Sequence, residues 1–223
     1  MEHVATALLL SAGLDSAVLA AAEARHTTVH PVYVSAGLAW EAAERRVLER
    51  LLAAGPYEAL APLAHLTFPV ADLYPPTHWA LTGTPPGFDT PDEDVYLVGR
   101  NVLLLSKAAI HCARHGLDRL VIGPLAGNPF PDATPAFFTA MAAALSMGLA
   151  HDVRIEAPLL QHDKAEVIRM GLSLGVPLAL TLSCMAPRDD RHCGTCSKCR
   201  ERRDAFLESG VPDPTTYAVT PAR

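Results

Sequence analysis

Val4 to Leu10 is an unbroken apolar run that passes directly into the turn Ser11-Ala12-Gly13-Leu14-Asp15-Ser16 and then into an Ala-rich, helical stretch, Ser16 to Arg25. Nothing else in the chain restricts its folding as much. A short apolar run without polar alternation is a strand buried on both faces, and a helix that follows it at once is the first leg of a crossover to a parallel neighbour. The chain is therefore expected to build a parallel sheet with helices on both sides.

The alternation continues. Strands are expected over Thr28 to Val34, Leu66 to Val70, Arg119 to Gly123 and Val153 to Glu156. Helices are expected over Trp40 to Ala54 (closed by Gly55), Asn101 to His115 (ended by Gly116), Ala136 to Gly148, and within HDKAEVIRMGLSLG, where Asp163 caps and Gly175 stops. Pro31 predicts that the second strand ends there or lies at an edge. Residues 71–98 are rich in Pro, Gly, Asp and Thr and too long for an ordinary connector, which suggests a lid or substrate loop, with a disordered segment as the plainer reading.

The fold class is thus α/β, a doubly wound and mostly parallel sheet over 1–180, followed by a small C-terminal metal-binding subdomain over 181–223. Half of the residues are hydrophobic and 19% are charged, which fits a packed core and not a disordered chain. A net charge of −6 argues against duplex nucleic acid as a partner and for a small molecule. No apolar run approaches the roughly 20 residues of a membrane span, and the start lacks a basic leader, so a cytoplasmic location is expected.

In sheets of this kind the ligand lies beyond the carboxyl ends of the strands. The turn 11–16 occupies that place after strand one. Its successive N–H groups, the helix dipole and two hydroxyls can receive a pyrophosphate, although an ordinary capped turn would look similar. It is neither a GxxxxGK[ST] loop nor a GxGxxG fingerprint.

The second chemical feature is Cys184-x8-Cys193-x2-Cys196-x2-Cys199. Four thiolates close a tetrahedral Zn²⁺ shell, which favours a structural ion. An iron–sulfur cluster is the metal alternative and a disulfide pair the non-metal one. Cys112, inside a helical stretch, reads as a small core residue. It leaves no cysteine pair free of the cluster for sulfur transfer.

The hexapeptide resembles the SGGxDS loop of the PP-loop ATP pyrophosphatases. Further stretches widen the likeness. LLLSAGLDS, VGRNVLLLSKAA, FPDATPAFFTAMAAALSMG, IEAPLLQHDKAEVIRMGLSLGVPLALTLSC and CGTCSKC resemble, in order and spacing, the 7-cyano-7-deazaguanine synthase family. The resemblance implies an adenine nucleotide alpha hydrolase-like fold and an ATP-dependent ligase. Such a ligase adenylates a carboxylate, 7-carboxy-7-deazaguanine, amidates it with ammonia, and activates it again to give the nitrile, splitting ATP to AMP and pyrophosphate.

By position, the resemblance places ATP and Mg²⁺ on Leu10, Ser11, Ala12, Gly13, Leu14, Asp15, Ser16, Arg100, Asn101 and Lys164. Ser11, Asp15, Ser16 and Lys164 would be catalytic, Asp132 would meet the substrate, and Cys184, Cys193, Cys196 and Cys199 would hold zinc. Similar enzymes often form homodimers and act on neither DNA nor membranes.

The chain departs from the family on the substrate side. Val34 to Trp40 lacks the Arg and His of a YGQRH-like stretch. Leu125-Ala126-Gly127-Asn128-Pro129 lacks the usual Asp, Ala133 replaces a Cys, and Ala12 replaces a Gly. Two alternatives follow: a relative that adenylates a different carboxylate, on a natural product or a protein, or a non-catalytic nucleotide-binding subunit. His78, Trp79 and Phe88 are candidates for stacking on an acceptor.

Overall fold

The computed structural model describes residues 5–221, so the expected strand start at Val4 lies outside the described residues. Five strands, β1 (Ala5–Leu9), β2 (Thr28–Ser35), β3 (Ala64–Thr67), β4 (Arg119–Val121) and β5 (Arg154–Glu156), form one sheet in the order β3-β2-β1-β4-β5. All four pairings are parallel, with Leu9 opposite Val32, Ala7 opposite Leu120 and Val121 opposite Glu156. The helices are α1 (Leu14–Glu23), α2 (Glu41–Leu52), a short α3 (Trp79–Thr82), α4 (Arg100–His115), α5 (Pro135–Leu149), α6 (Lys164–Ser173) and α7 (Ser197–Ser209).

Two apolar cores lie on opposite sides of the sheet. One joins Val18, Leu48, Ile168 and Phe206 from α1, α2, α6 and α7; the other joins Leu105, Ala109, Cys112 and Phe138 from α4 and α5. The crossovers from β1 and β2 thus cover one face and those from β3 and β4 the other. The order of strands reverses between β1 and β4, which places the binding crevice there. Among the described residues no helix is long and apolar enough to cross a membrane.

Several local expectations need correction. Pro31 lies inside an internal strand. The carbonyl of Val32 accepts from Leu10 N on the β1 side, so the missing N–H of Pro31 faces β3. Pairing with β3 begins only at Val32, and no ladder bond is lost. Strand β3 starts two residues earlier than the apolar run suggested, where Ala64 pairs with Val32, and it ends three residues earlier, at Thr67, with Val70 outside the strand and donating to Ala36 O. Helix α1 starts at Leu14 instead of Ser16, so Leu14, Asp15 and Ser16 form its first turn.

Gly55 does not close α2. The helix ends at Leu52 with Ala53 still right-handed. By contrast, Gly116 takes the left-handed cap of α4 at φ 68°, Gly175 is left-handed at φ 72°, and Asp163 and Glu166 form a reciprocal capping box on α6.

Residues 71–98 are ordered. His78 Nδ1 accepts from Ala80 N at the start of α3, and the Tyr74 hydroxyl donates to Val98 O. The first turn of α7 anchors the second half of the segment. Ser197 N donates to Pro86 O at 3.3 Å, and the Arg200 guanidinium donates to Phe88 O, Thr90 O and Asp92 at 2.7–2.9 Å. The Arg203 guanidinium lies 4.9 Å from the centre of the Phe88 ring.

Candidate functional site

A cavity of about 450 Å³ opens at the carboxyl ends of β1 and β4, and a neighbouring one of about 270 Å³ shares Ser11, Asp15, Glu44 and Arg100 with it. Leu10, Ser11, Gly13, Leu14, Asp15, Ser16, Arg100, Asn101 and Lys164 all line one or both. Two expected residues lie elsewhere. Ala12 is fully buried behind the loop, where its carbonyl accepts from Leu182 N at 2.7 Å. Asp132 lines neither cavity.

The turn holds its shape through its own hydroxyls. Ser16 Oγ donates to the carbonyls of Ser11 and Gly13 at 3.1 Å, and Ser11 Oγ accepts from Gly13 N at 3.0 Å. A Cβ on Gly13 would lie 3.0 Å from Ser11 Oγ, so a glycine there permits the tight turn. Ala12 is not among the residues at positive φ, and a methyl is accommodated without backbone strain. No side chain caps α1, so the dipole and first amides of that helix remain available to an anion.

Charged groups alternate in sign along one wall. Lys164 Nζ lies 2.6 Å from Asp15 Oδ2 and 3.1 Å from Glu201 Oε1, and Lys198 pairs with the other oxygen of Glu201. Burial alone would lower the Lys164 pKa, but Asp15 and Glu201 outweigh it and hold the ammonium above its ordinary value. Asp15 Oδ1 is buried with no partner, a hard oxygen donor of the kind a divalent cation takes. Arg100 makes no side-chain hydrogen bond or ion pair among the described residues, so its guanidinium is free for a ligand.

On the opposite wall Glu44 is buried, and its Oε2 accepts from the Tyr33 hydroxyl at 2.9 Å. Burial pushes its pKa up to about 7, against the pull of Arg100 and the Tyr33 bond, while Glu41 adds to the rise. Trp40, one turn before it, stacks on Trp79 with ring centres 5.8 Å apart. Of the three aromatic candidates in the long segment, only Trp79 lines the cavity. His78 serves α3, and Phe88 packs under Arg203.

Asp132 has a structural bond set. Its Oδ2 accepts from Asn101 N at 3.0 Å, and Asn101 Nδ2 donates to its carbonyl at 2.9 Å, which fixes the start of α4. Sequence reasoning passed over Glu44, Trp40, Lys198 and Glu201. The i, i+4 spacing of Trp40 and Glu44 at the start of α2 was the available signal for the first two. The other two belong to α7, which the cysteine pattern concealed.

The four cysteines are buried, unbridged, and bring their sulfurs within 4.8 Å of one another. The Sγ–Sγ separations of 3.9, 3.8 and 3.5 Å match the edge of about 3.8 Å in a tetrahedron with ~2.3 Å Zn–S bonds. Backbone amides of Ala186, Cys193, Gly194 and Thr195 point at the sulfurs from 3.2–3.4 Å and offset thiolate charge. The donor set fits zinc, and a disulfide pair does not describe it.

Around the cluster, burial and nearby Arg202 lower the pKa of His192 to about 3, which keeps the imidazole neutral as it accepts from Ser183 N. Arg202, itself buried, donates to Thr181, Ser183, Thr215 and Leu178 O and knits α7 to both flanking segments. Residues 216–219 pair beside the cysteine loop: His192 N donates to Thr216 O, and Ala218 N to His192 O. Cys112 lies in the other core, where burial raises its thiol to about 12.

A doubly wound parallel sheet with a cavity of mixed charge at its switch point and a buried four-cysteine cluster suited to zinc beside it defines an α/β architecture that places a ligand cavity at the carboxyl ends of its strands. A family model described as queuosine biosynthesis protein QueC matches residues 5–210, and the chain belongs to that family. Proteins named 7-cyano-7-deazaguanine synthase are similar along the chain. The one from Xanthomonas campestris (strain B100) is 34% identical over 96% of this chain and 97% of its own length. The one from Methanothrix thermoacetophila is 33% identical over 94% and 96%. A third, from Anaeromyxobacter dehalogenans, is 42% identical, but the match spans only 55% of this chain and 56% of that protein.

Proposed function

We propose that the protein is an ATP-dependent carbon–nitrogen ligase that adenylates a carboxylate, with 7-carboxy-7-deazaguanine as acceptor and 7-cyano-7-deazaguanine as product. The observation that carries this reading is the convergence, in a member of the QueC family, of the uncapped start of α1, the Asp15–Lys164 pair and the unpartnered Arg100 on one cavity.

The acceptor carboxylate attacks the α-phosphorus of ATP, and pyrophosphate leaves. Negative charge then grows on the α-phosphate and on the leaving group. The α1 amides, Lys164 and Arg100 are the donors placed to stabilise it, with no nucleophilic side chain required. A Mg²⁺ ion held through Asp15 would neutralise phosphate charge. Ammonia next attacks the acyl adenylate and AMP leaves, giving the amide; a second ATP adenylates the amide oxygen with loss of pyrophosphate, and departure of AMP, with both amide N–H protons released, leaves the nitrile. Trp40 and Trp79 shield that end of the cavity from water, which would hydrolyse the intermediate. In this reading residues 1–180 carry the nucleotide, and 181–223 form the zinc subdomain that buttresses it.

The test is mass-resolved product analysis with ATP, Mg²⁺, ammonium and the deazaguanine acid. Nitrile, AMP and pyrophosphate together support the proposal. ATP bound without product supports the second reading, a different carboxylate acceptor. That reading draws on the absence of Arg and His from the 34–40 stretch and on the Trp40–Trp79 wall in their place. No nucleotide binding at all would overturn both.

A further inference from the structure

Helix α7 begins inside the cysteine cluster, with Cys196 as its N-cap and Cys199 in its first turn. Groups from the first five residues of α7 reach the cavity or its border. Glu201 Oε1 meets Lys164 at 3.1 Å, and Lys164 in turn meets Asp15 of the α1 turn at 2.6 Å. Arg200 clamps Phe88, Thr90 and Asp92, the last of which lines the cavity. Ser197 N holds Pro86 O. A shared ion would fix this turn further, because four thiols 3.5–3.9 Å apart have only weak contacts with one another.

We infer that Glu201 is a positioning residue that couples the four-cysteine cluster to the cavity: the metal-ordered start of α7 sets Glu201, and Glu201 sets Lys164 against Asp15. Lys164 has a long, flexible stem and sits at the first position of α6, so its own helix does not fix where the ammonium points. Two carboxylates, from opposite ends of the sequence, do. Lys198, on the far side of Glu201, keeps that carboxylate from swinging fully onto Lys164. The arrangement makes metal occupancy and cavity occupancy thermodynamically linked, so each must strengthen the other by the same factor. The linkage rests on the nucleotide reading only for the identity of the ligand.

The experiment compares zinc-loaded wild-type protein with Glu201→Gln and Arg200→Ala. Zinc content and melting temperature establish that each variant is folded and metallated. Calorimetry with a non-hydrolysable ATP analogue reports the cavity, and transfer of zinc to a chelator is timed with and without the analogue. Hydrogen exchange follows peptides over 11–18 and 86–92.

Because affinity differences between related complexes appear mostly in dissociation rates, the expected result is that the analogue slows zinc transfer at least about fivefold in the wild type and less than about twofold in Glu201→Gln. Glu201→Gln should also lose exchange protection over 11–18 while keeping its zinc, and Arg200→Ala should lose it over 86–92. Equal slowing in wild type and Glu201→Gln, or unchanged exchange over 11–18, overturns the inference. If calorimetry detects no analogue binding, the nucleotide reading fails by itself, and the exchange comparison still decides the coupling.

Discussion

Glu44→Gln should stabilise the protein at alkaline pH and leave it almost unchanged in acid. The buried Glu44 carboxyl ionises near 7 in the folded chain against an ordinary value of 4.5. A carboxyl whose folded pKa is raised binds its proton more tightly in the native state. Below pH 4.5 both states are protonated and the group is neutral to stability. As pH rises through 7 the native state must ionise a buried acid, and the penalty levels off at about 3 kcal/mol. Between pH 5 and pH 8 it grows by about 2.5 kcal/mol.

Glutamine has the same shape and still offers an oxygen to the Tyr33 hydroxyl, and Arg100 and Glu41 are untouched, so the substitution removes the ionisation and little else. Urea unfolding of both proteins at pH 5 and pH 8 gives the difference directly. The variant should gain about 2.5 kcal/mol relative to wild type on moving to pH 8. A wild-type minus variant difference that is the same at both pH values would refute the reasoning, because it would mean that Glu44 is not desolvated. If Glu44 also serves the acceptor, the same variant will lose activity as it gains stability, the usual relation for a strained functional group.

Further expectations concern the other elements. Cys199→Ala should abolish stoichiometric zinc, read by metal analysis, and lower the melting temperature by several degrees; retention of one zinc per chain would count against the four-sulfur site. Gly194→Ala forces a Cβ to within 1.7 Å of Val219 O at φ 83°, so it should displace the 216–219 segment and cost about 2–4 kcal/mol. An unaltered melting curve would contradict the close approach. Lys164→Ala should weaken binding of an ATP analogue at least tenfold by calorimetry without loss of zinc, and unchanged affinity would remove Lys164 from the nucleotide site. Trp79→Ala should raise KM for the carboxylate acceptor several-fold while KM for ATP stays within twofold; the opposite split would place the tryptophans at the nucleotide.

Patterns that depend on neighbours in sequence were readable in the chain. The apolar run of β1, the Asp163 cap, the helix end at Gly116 and the CxxCxxC spacing each act within a few residues, and the structure agrees with them. Pro31 misled because an edge position is only one way to avoid a lost ladder bond; facing the unpaired start of β3 is another. Helix α7 was hidden because its polar, Arg-rich face lacks an apolar stripe, and its order comes from the cluster and from Arg202. The cavity was legible on the side of the 11–16 turn, where consecutive residues supply the lining. It was illegible on the Glu44 and Glu201 walls, where the partners are set by tertiary packing.

The Asp15–Lys164 pair closes a loop of 149 residues, and Glu201 joins it later still. During synthesis the α1 turn emerges well before its cationic partner Lys164, and the helix that steadies that partner follows later still. Contacts of such long range are the slow ones in folding. The Lys164 and Glu201 wall of the cavity is therefore completed last, after the strands β1 to β5 that carry the cavity are already available.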